Sequence, residues 1–188
     1  STCAFADYRH YFQTRVTLQL LAKANDLATD LNAEVCVVVF GYEIDEYVAE
    51  YIAHGAQKVL VVEHPSLNQY SVEKFTALMA KLAGDHQPEI ILIGATSFGR
   101  EFAPRVAKRL GTGLTADCIG LEITDEGHLL QIAPSFGGNL VAEIITPDHR
   151  PQMATVRPGT FQEFPHDNTR RGEVVPIPLP RKIPADRL

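Results

Sequence analysis

Short apolar runs alternate with amphipathic segments from residue 1 to about residue 111. The run Val35–Phe40 is apolar at both parities of a strand, which is typical of a parallel sheet covered by helices on both faces. Between such runs, apolar residues recur three and four positions apart, as on one face of a helix. Strand, crossover helix and parallel strand therefore follow one another, and the sequence predicts an α/β fold: a parallel-core sheet flanked by helices in three layers.

The individual elements can be placed from the same pattern. Strands are predicted at 3–6, 35–40, 59–62 and 90–93, and helical stripes at 20–31, 48–52, 72–82 and 102–110. We expect Gly84 to end the third helix. Pro104 is expected in the first turn of the fourth helix, where its missing N–H costs little.

The pattern changes after Gly113, and an antiparallel strand region is predicted after residue 115. Residues 121–124 and 128–132 flank an Asp-Glu-Gly turn and predict a hairpin. Residues 139–145 and 152–156 predict a second strand pair around a proline-rich turn. These elements and the preceding ones make one domain, 1–161. Residues 162–188 are polar and proline-rich, so we expect an extended, mobile linker with no apolar face to bury.

Charge and composition exclude several classes of protein. The net charge is −6, so nucleic acid is a poor candidate partner. The longest apolar run has six residues, too short to insert into a membrane. The three cysteines lie far apart with no metal-ligand spacing, which favours reduced thiols and a cytoplasmic location.

The loop Gly94–Arg100 follows a predicted strand and opens a helix, where backbone N–H groups can bind an anion. It is not a Walker loop, because its second glycine is followed by arginine and glutamate. The simpler interpretation is a strand-to-helix turn capped by Thr96 or Ser97. A second glycine pair, Gly137-Gly138, predicts a tight turn with positive φ.

Other polar residues do not combine into a catalytic apparatus. Arg157 leaves the end of a predicted strand, and its default interpretation is a solvated side chain or a pair with a carboxylate. Asp117, Glu122 and Glu143 lie on different predicted elements, so their spacing predicts no acid/base pair. The histidines show no metal-binding spacing, and Cys36 and Cys118 are interpreted as small core residues.

Several stretches together resemble the N-terminal domain of the alpha subunit of an electron transfer flavoprotein. They are Ile93–Arg100 with Pro104–Ala107, Thr112–Asp117, Gly137–Asn139, Arg150–Gly159 and the bacterial-type His54–Val59. The resemblance runs from about Ala6 to Phe161 in order and spacing. It implies a fold of the adenine nucleotide alpha hydrolase-like, or HUP-like, type.

The resemblance also implies a function. Such a domain pairs with the beta subunit in a heterodimer that carries electrons from acyl-CoA or related dehydrogenases to an acceptor. It is an electron carrier subunit, with no catalytic site of its own. FAD is implied in the complete complex, on a C-terminal domain beyond this chain, with either a second FAD or AMP on beta. No cofactor is expected for this chain alone.

Two residues matter within this resemblance. The family counterpart of Arg157 points toward the nucleotide or flavin shared with beta, where a fixed cation favours a reduced, anionic flavin. Ala133 replaces the arginine that usually precedes the counterpart of Pro134, which weakens the implication of electron bifurcation. An alternative from another class is a stand-alone universal-stress-protein-like module that binds AMP or ATP at Gly94–Gly99.

Overall fold

The computed structural model describes residues 1–8, 11–135 and 137–182, with residues 11–14 described by their backbone. The strands are β1 (Thr2–Phe5), β2 (Val35–Gly41), β3 (Lys58–Glu63), β4 (Ile90–Gly94), β5 (Leu114–Cys118), β6 (Gly120–Ile123), β7 (Leu129–Pro134), β8 (Val141–Ile144), β9 (Gln152–Val156) and β10 (Glu173–Pro176). The helices are α1 (Tyr11–Leu31), α2 (Asp45–Ala53), α3 (Val72–His86) and α4 (Ser97–Leu110), with a short 3-10 turn at Pro65–Leu67.

Seven strands form one parallel sheet in the order β10-β3-β2-β1-β4-β9-β5. The short strand β1 lies in the middle of this sheet, hydrogen-bonded to β2 on one side and β4 on the other. A separate antiparallel sheet has the order β6-β7-β8. Its first two strands confirm the predicted hairpin.

Helices cover both faces of the parallel sheet. Leu20 and Leu27 of α1 pack with one parity of the strand residues, and Phe75 of α3 and Phe102 of α4 pack with the other. Every residue of β2 is buried, as a strand covered on both faces requires. The three-layer α/β prediction is confirmed, and the small sheet adds the antiparallel region predicted after residue 115.

Two predicted helix features are wrong. The helix α3 continues past Gly84 to His86, and Gln87 takes the left-handed conformation that ends it. Pro104 lies inside α4, not in its first turn, because the helix already begins at Ser97. Its position is exposed, so water can reach the carbonyl that the proline cannot pair.

The predicted pairing of residues 139–145 with 152–156 is also wrong. Strand β8 pairs with β7, whereas β9 enters the large sheet between β4 and β5. All five residues of β9 are buried. Its polar side chains are satisfied there: for example, Gln152 Oε1 accepts a hydrogen bond from the Leu129 N–H at 2.7 Å. Burial on both faces suits an inner strand of a parallel sheet and not a hairpin.

The expectation that the chain beyond Phe161 has no packed structure is wrong for its middle part. Strand β10 runs parallel to β3, with Glu173 opposite Lys58. Next to it, Ile177 and Leu179 pack against the core on the side of α3 and α4. Residues 183–188 of the predicted linker lie outside the described residues, and the division into a domain 1–161 and a linker 162–188 stays a prediction.

Candidate functional site

The carboxyl ends of β1 and β4 form the crevice at which a doubly wound fold usually binds its ligand. These strands are neighbours in the sheet, but the chain leaves β1 for α1 on one face and β4 for α4 on the other. Such a topological switch point opens a crevice between the two connections. In this protein Asp7 follows β1 there, and the glycine loop Gly94–Arg100 follows β4.

A buried carboxylate fills this crevice. Asp7 is only 3% exposed, and its Oδ2 accepts a hydrogen bond from Thr96 Oγ1 at 2.7 Å. The same Thr96 oxygen accepts the Gly99 N–H at 3.0 Å and so caps α4. The Asp7 backbone N–H is fixed by Thr17 Oγ1 of α1 at 2.9 Å. The protein thus places its own negative charge at the N-terminus of α4, which the helix dipole favours.

The two glycines of the loop serve close packing. A Cβ on Gly94 would lie 2.8 Å from the methyl groups of Val16, and a Cβ on Gly99 would overlap the carbonyl oxygen of Gly94. The loop therefore lies tightly against α1 and does not cradle a ligand. With Asp7 beside it, the loop does not fit the phosphates of AMP, ATP or FAD. The prediction of a turn capped by Thr96 is confirmed, and the stand-alone AMP- or ATP-binding module is not favoured.

Tyrosines surround the same end of the sheet, and the sequence analysis missed them. The rings of Tyr8 and Tyr47 stack at 4.7 Å, and the Tyr8 N–H donates to Tyr70 Oη at 2.8 Å. Burial raises the pKa of Tyr70 and of Tyr8 above the usual value for a phenol, so both stay neutral. Their contacts cross long stretches of chain, and no local spacing signals them.

An open groove of about 750 Å³ lies beside Tyr8 and Tyr47. Its other wall is the segment that leads toward β10, which is anchored where His54 Nδ1 lies 2.9 Å from the carbonyl oxygen of Phe164. A carbonyl accepts, so this ring nitrogen is the donor. The motif that begins at His54 is therefore used for anchoring the chain. Among the described residues, no group of three or more His, Cys, Asp or Glu side chains is arranged to bind a metal.

Arg157 lies at the carboxyl end of β9 and pairs with Asp117. Its Nη2 and Nε donate to Asp117 Oδ2 at 2.7 and 3.3 Å. This hydrogen bond and the charge of the guanidinium hold the pKa of Asp117 below its usual range. The default expectation for Arg157, a surface pair with a carboxylate, is what the structure has. As the sequence predicts, the three acids lie on different elements: Asp117 on β5, Glu122 on β6 and Glu143 on β8. Their spacing in the sequence does not indicate which of them pairs with Arg157.

Strand β8 and the residues flanking it expose an apolar row, whose side chains alternate between the two faces of the strand. Leu140 is 70% exposed and Val141 56%, and Ile144 and Ile145 are exposed as well. The turn before the row is formed by Gly137 and Gly138 with φ of 91° and 71°, as predicted. One edge of β8 pairs with β7, and among the described residues no strand pairs with the other edge. Large apolar side chains on a free edge strand mark an association surface.

The structure also tests the predictions for the cysteines and for membrane-spanning segments. The cysteines are buried and unpaired, so the interpretation of Cys36 and Cys118 as core residues is confirmed. Cys3 lies opposite Cys36 on neighbouring strands, which the sequence did not signal. Within the described part of the chain, none of the helices is long and apolar enough to span a bilayer.

These observations define a class: an α/β domain with the layout of nucleotide-binding folds, whose crevice is filled by its own side chains and whose small sheet exposes an apolar edge. The profile of the electron transfer flavoprotein domain matches residues 2–181, and the chain belongs to this family.

Relatives point to one subunit of that family. The electron transfer flavoprotein subunit alpha of Thermoanaerobacterium thermosaccharolyticum is 44% identical over 91% of this chain and 52% of its own length. The alpha subunit of Clostridium acetobutylicum is 43% identical over 86% of this chain and 48% of its own. Subunit LctC of the lactate dehydrogenase (NAD(+),ferredoxin) of Acetobacterium woodii is 40% identical over 85% of this chain and 38% of its own. The predicted resemblance to alpha subunits is confirmed, and the chain spans about half the length of the first two relatives.

Proposed function

We propose that this chain is the scaffold domain of an electron transfer flavoprotein alpha subunit and that it pairs with the beta subunit. The heterodimer then carries electrons from a dehydrogenase, of the acyl-CoA or a related type, to an acceptor. Membership of the family and the alpha-subunit relatives support the electron-transfer role. The relative from Acetobacterium woodii is a subunit of a lactate dehydrogenase, which supports a dehydrogenase partner. A cytoplasmic location stays a prediction.

The observation that carries the proposal is the apolar row on β8. Fully burying a Leu, Ile or Val side chain contributes about 1.5–3 kcal/mol. Exposed side chains such as Leu140 and Val141 are therefore unfavourable in water. A partner that covers them stabilises the complex by burying their apolar surface. The free backbone edge of β8 adds hydrogen-bonding capacity for a strand of the partner. A permanent heterodimer of this family is the occupant that fits both features.

The closed crevice supports a division of labour within the complex. The flavin, when bound, accepts and passes on electrons, and the protein around it supplies orientation and electrostatics. Because Asp7 occupies the crevice of this domain, we place FAD on parts of the complex beyond this chain: on a C-terminal domain, with either a second FAD or AMP on beta. This chain alone is proposed to hold no cofactor and to have no catalytic site of its own.

Arg157 is the residue of this chain that we propose to face the nucleotide or flavin shared with beta. Its side chain is 49% exposed, and Asp117 takes only two of the five N–H donors that the guanidinium carries. A half-exposed, always charged donor at the carboxyl end of a sheet strand fits an anionic group. Arg157 would place a fixed positive charge beside that group and favour its reduced, negatively charged form.

Co-expression with the beta subunit of the same organism tests the proposal. We expect a stable complex that contains flavin, and we expect Leu140→Asp to reduce co-purification of beta strongly because it places a charge in the apolar row. Val174→Asp is the matched control, since Val174 is also an exposed large apolar residue at a sheet edge but lies on β10, at the far edge of the large sheet. Equal recovery of beta with both variants would refute the interface, and recovery of no complex with the natural sequence would refute the proposed function.

A further inference from the structure

We propose that Asp117 is a counter-ion built into the domain for Arg157: it holds the guanidinium at this corner of the sheet and offsets part of its charge. The inference rests on the proposed function, in which Arg157 faces the flavin or nucleotide shared with beta. It assigns a positioning role to Asp117, which acts through Arg157 and not by touching the cofactor.

The backbone on both sides of the pair is fixed. Asp117 lies at an irregularity of β5 between Thr115 and Cys118, with a left-handed φ of 58°. Its N–H donates to Thr155 Oγ1 of β9 at 2.8 Å. On the other strand, the Arg157 N–H donates to the Cys118 carbonyl oxygen at 3.1 Å. Strands β5 and β9 are thus joined by a hydrogen bond on either side of the ion pair.

These hydrogen bonds distinguish the pair from an ordinary surface salt bridge. Most exposed pairs join two long side chains whose geometry is not maintained by their surroundings. Asp117 has a short side chain on a backbone that adopts an uncommon conformation, which aspartate tolerates better than most residues. The irregularity of β5 aims the carboxylate at Arg157, and the two donors of Arg157 converge on one oxygen, Oδ2.

Asp117 lies in the electrostatic field of two arginines. Besides Arg157, the charge of Arg100 in the first turn of α4 also acts on Asp117. The carboxylate therefore offsets positive charge at this corner of a chain whose net charge is −6. The second oxygen of Asp117, Oδ1, is buried and has no hydrogen-bond partner among the described residues.

A counter-ion makes a prediction of sign that a purely structural residue does not make. Asp117→Asn keeps the size of the side chain and an oxygen that can accept from Arg157, but it removes the negative charge. The positive field at the cofactor then increases, and the flavin midpoint potential rises. Arg157→Gln leaves the carboxylate alone at this corner, so the midpoint potential falls. The double variant has neither charge, and its midpoint lies between those of the single variants.

The experiment is a spectroelectrochemical titration of the purified complex with beta, for the natural sequence, the two single variants and the double variant. Glu89→Gln is the matched control. The pair of Glu89 with Arg150 has an N···O distance of 2.6 Å and similar exposure, but it lies before the other end of β9, roughly 20 Å away. We expect no shift of the midpoint potential in this control.

The outcomes separate this inference from the proposal on which it rests. If Arg157→Gln lowers the midpoint but Asp117→Asn leaves it unchanged or lowers it, the counter-ion role is overturned and the proposed function stands. If Arg157→Gln also causes no shift, both roles are overturned, and absence of a complex with beta overturns the proposed function as well. A readout independent of flavin is the carbon NMR titration of Asp117 in this chain: Arg157→Gln should raise the carboxyl pKa, and an unchanged value would overturn the inference.

Discussion

The network that fills the crevice can be tested by one substitution, Thr96→Val. The change is nearly isosteric at a position that is 4% exposed, so it leaves the packing of the loop almost intact. It removes one oxygen with two functions: accepting the Gly99 N–H as the cap of α4 and donating to the buried Asp7 carboxylate. The variant therefore isolates the contribution of this hydroxyl to the folded state.

The two losses can be estimated separately. Removing a helix N-cap costs about 0.5–2 kcal/mol. Leaving a buried acceptor without its donor costs about 1–3 kcal/mol. The free energy of unfolding should therefore fall by about 3 kcal/mol, within limits of about 1.5 and 5 kcal/mol. For a chain of this size, about 3 kcal/mol corresponds to a decrease in Tm of about 6–12 °C.

Equilibrium unfolding in urea measures this loss, provided that the m-value is unchanged. Ser71→Ala is the control, because Ser71 caps α3 by accepting the Lys74 N–H but lies near the surface. It should cost about 0.5–1 kcal/mol. Thr96→Ser keeps the hydroxyl and should restore most of the stability that Thr96→Val loses.

Two results would refute the reasoning. If Thr96→Val costs no more than Ser71→Ala, the contact of Thr96 with Asp7 contributes nothing to stability. If AMP at low concentration raises the Tm of the unchanged chain, the chain does bind this nucleotide and the exclusion of AMP is wrong, since a ligand that binds only the folded state stabilises it by mass action.

Three further predictions follow from single positions. Gly84→Ala should stabilise the protein by about 0.5–1 kcal/mol in urea unfolding, because Gly84 lies inside α3 with nothing within 4 Å of an added Cβ; destabilisation would mean that the helix ends there. Gly172→Ala should speed hydrogen exchange in β10 and leave β2 protected, because its Cβ would lie 2.8 Å from the Ala56 carbonyl oxygen; unchanged exchange would mean that β10 does not depend on this close approach. Burial raises the pKa of Cys118 to about 12, so this thiol should react with a disulfide reagent at pH 8 only after unfolding, and rapid reaction in the native state would contradict its burial. Its contribution to the free energy of unfolding is present below the ordinary thiol pKa and is lost as the pH rises toward 12.

Local periodicity was sufficient for most of the large sheet and its helices. Val35–Phe40 is apolar at both parities and could only be a covered strand, and the stripe of α3 appears in the spacing of its apolar residues. These patterns predict their elements correctly because each depends on residues only a few positions apart in the sequence. The order of motifs also identified the family, which confirms that the alpha-subunit signature lies in the sequence itself.

Local signals failed where two segments compete for one position in the sheet. The sequence of β9 is compatible with a hairpin partner. Only the tertiary structure shows that β9 instead pairs with β4 on one side and β5 on the other. The proline-rich stretch around β10 has no pattern of its own, yet the free edge of β3 gives it hydrogen-bond partners. Pairing between strands is a long-range choice, and the alternation of side chains along one strand does not specify the neighbour.

The sequence by itself determined the α/β class and the family, and it indicated Arg157 and the glycine loop as candidate functional residues. Only the tertiary structure decided what these residues do. Asp7 and Thr96 are 89 positions apart, and Asp117 and Arg157 are 40 apart, so each pair meets only when parallel strands bring their carboxyl ends together. The hydrogen bond and the charge at such a point depend on distance in space, which falls below 3 Å only after the chain has folded.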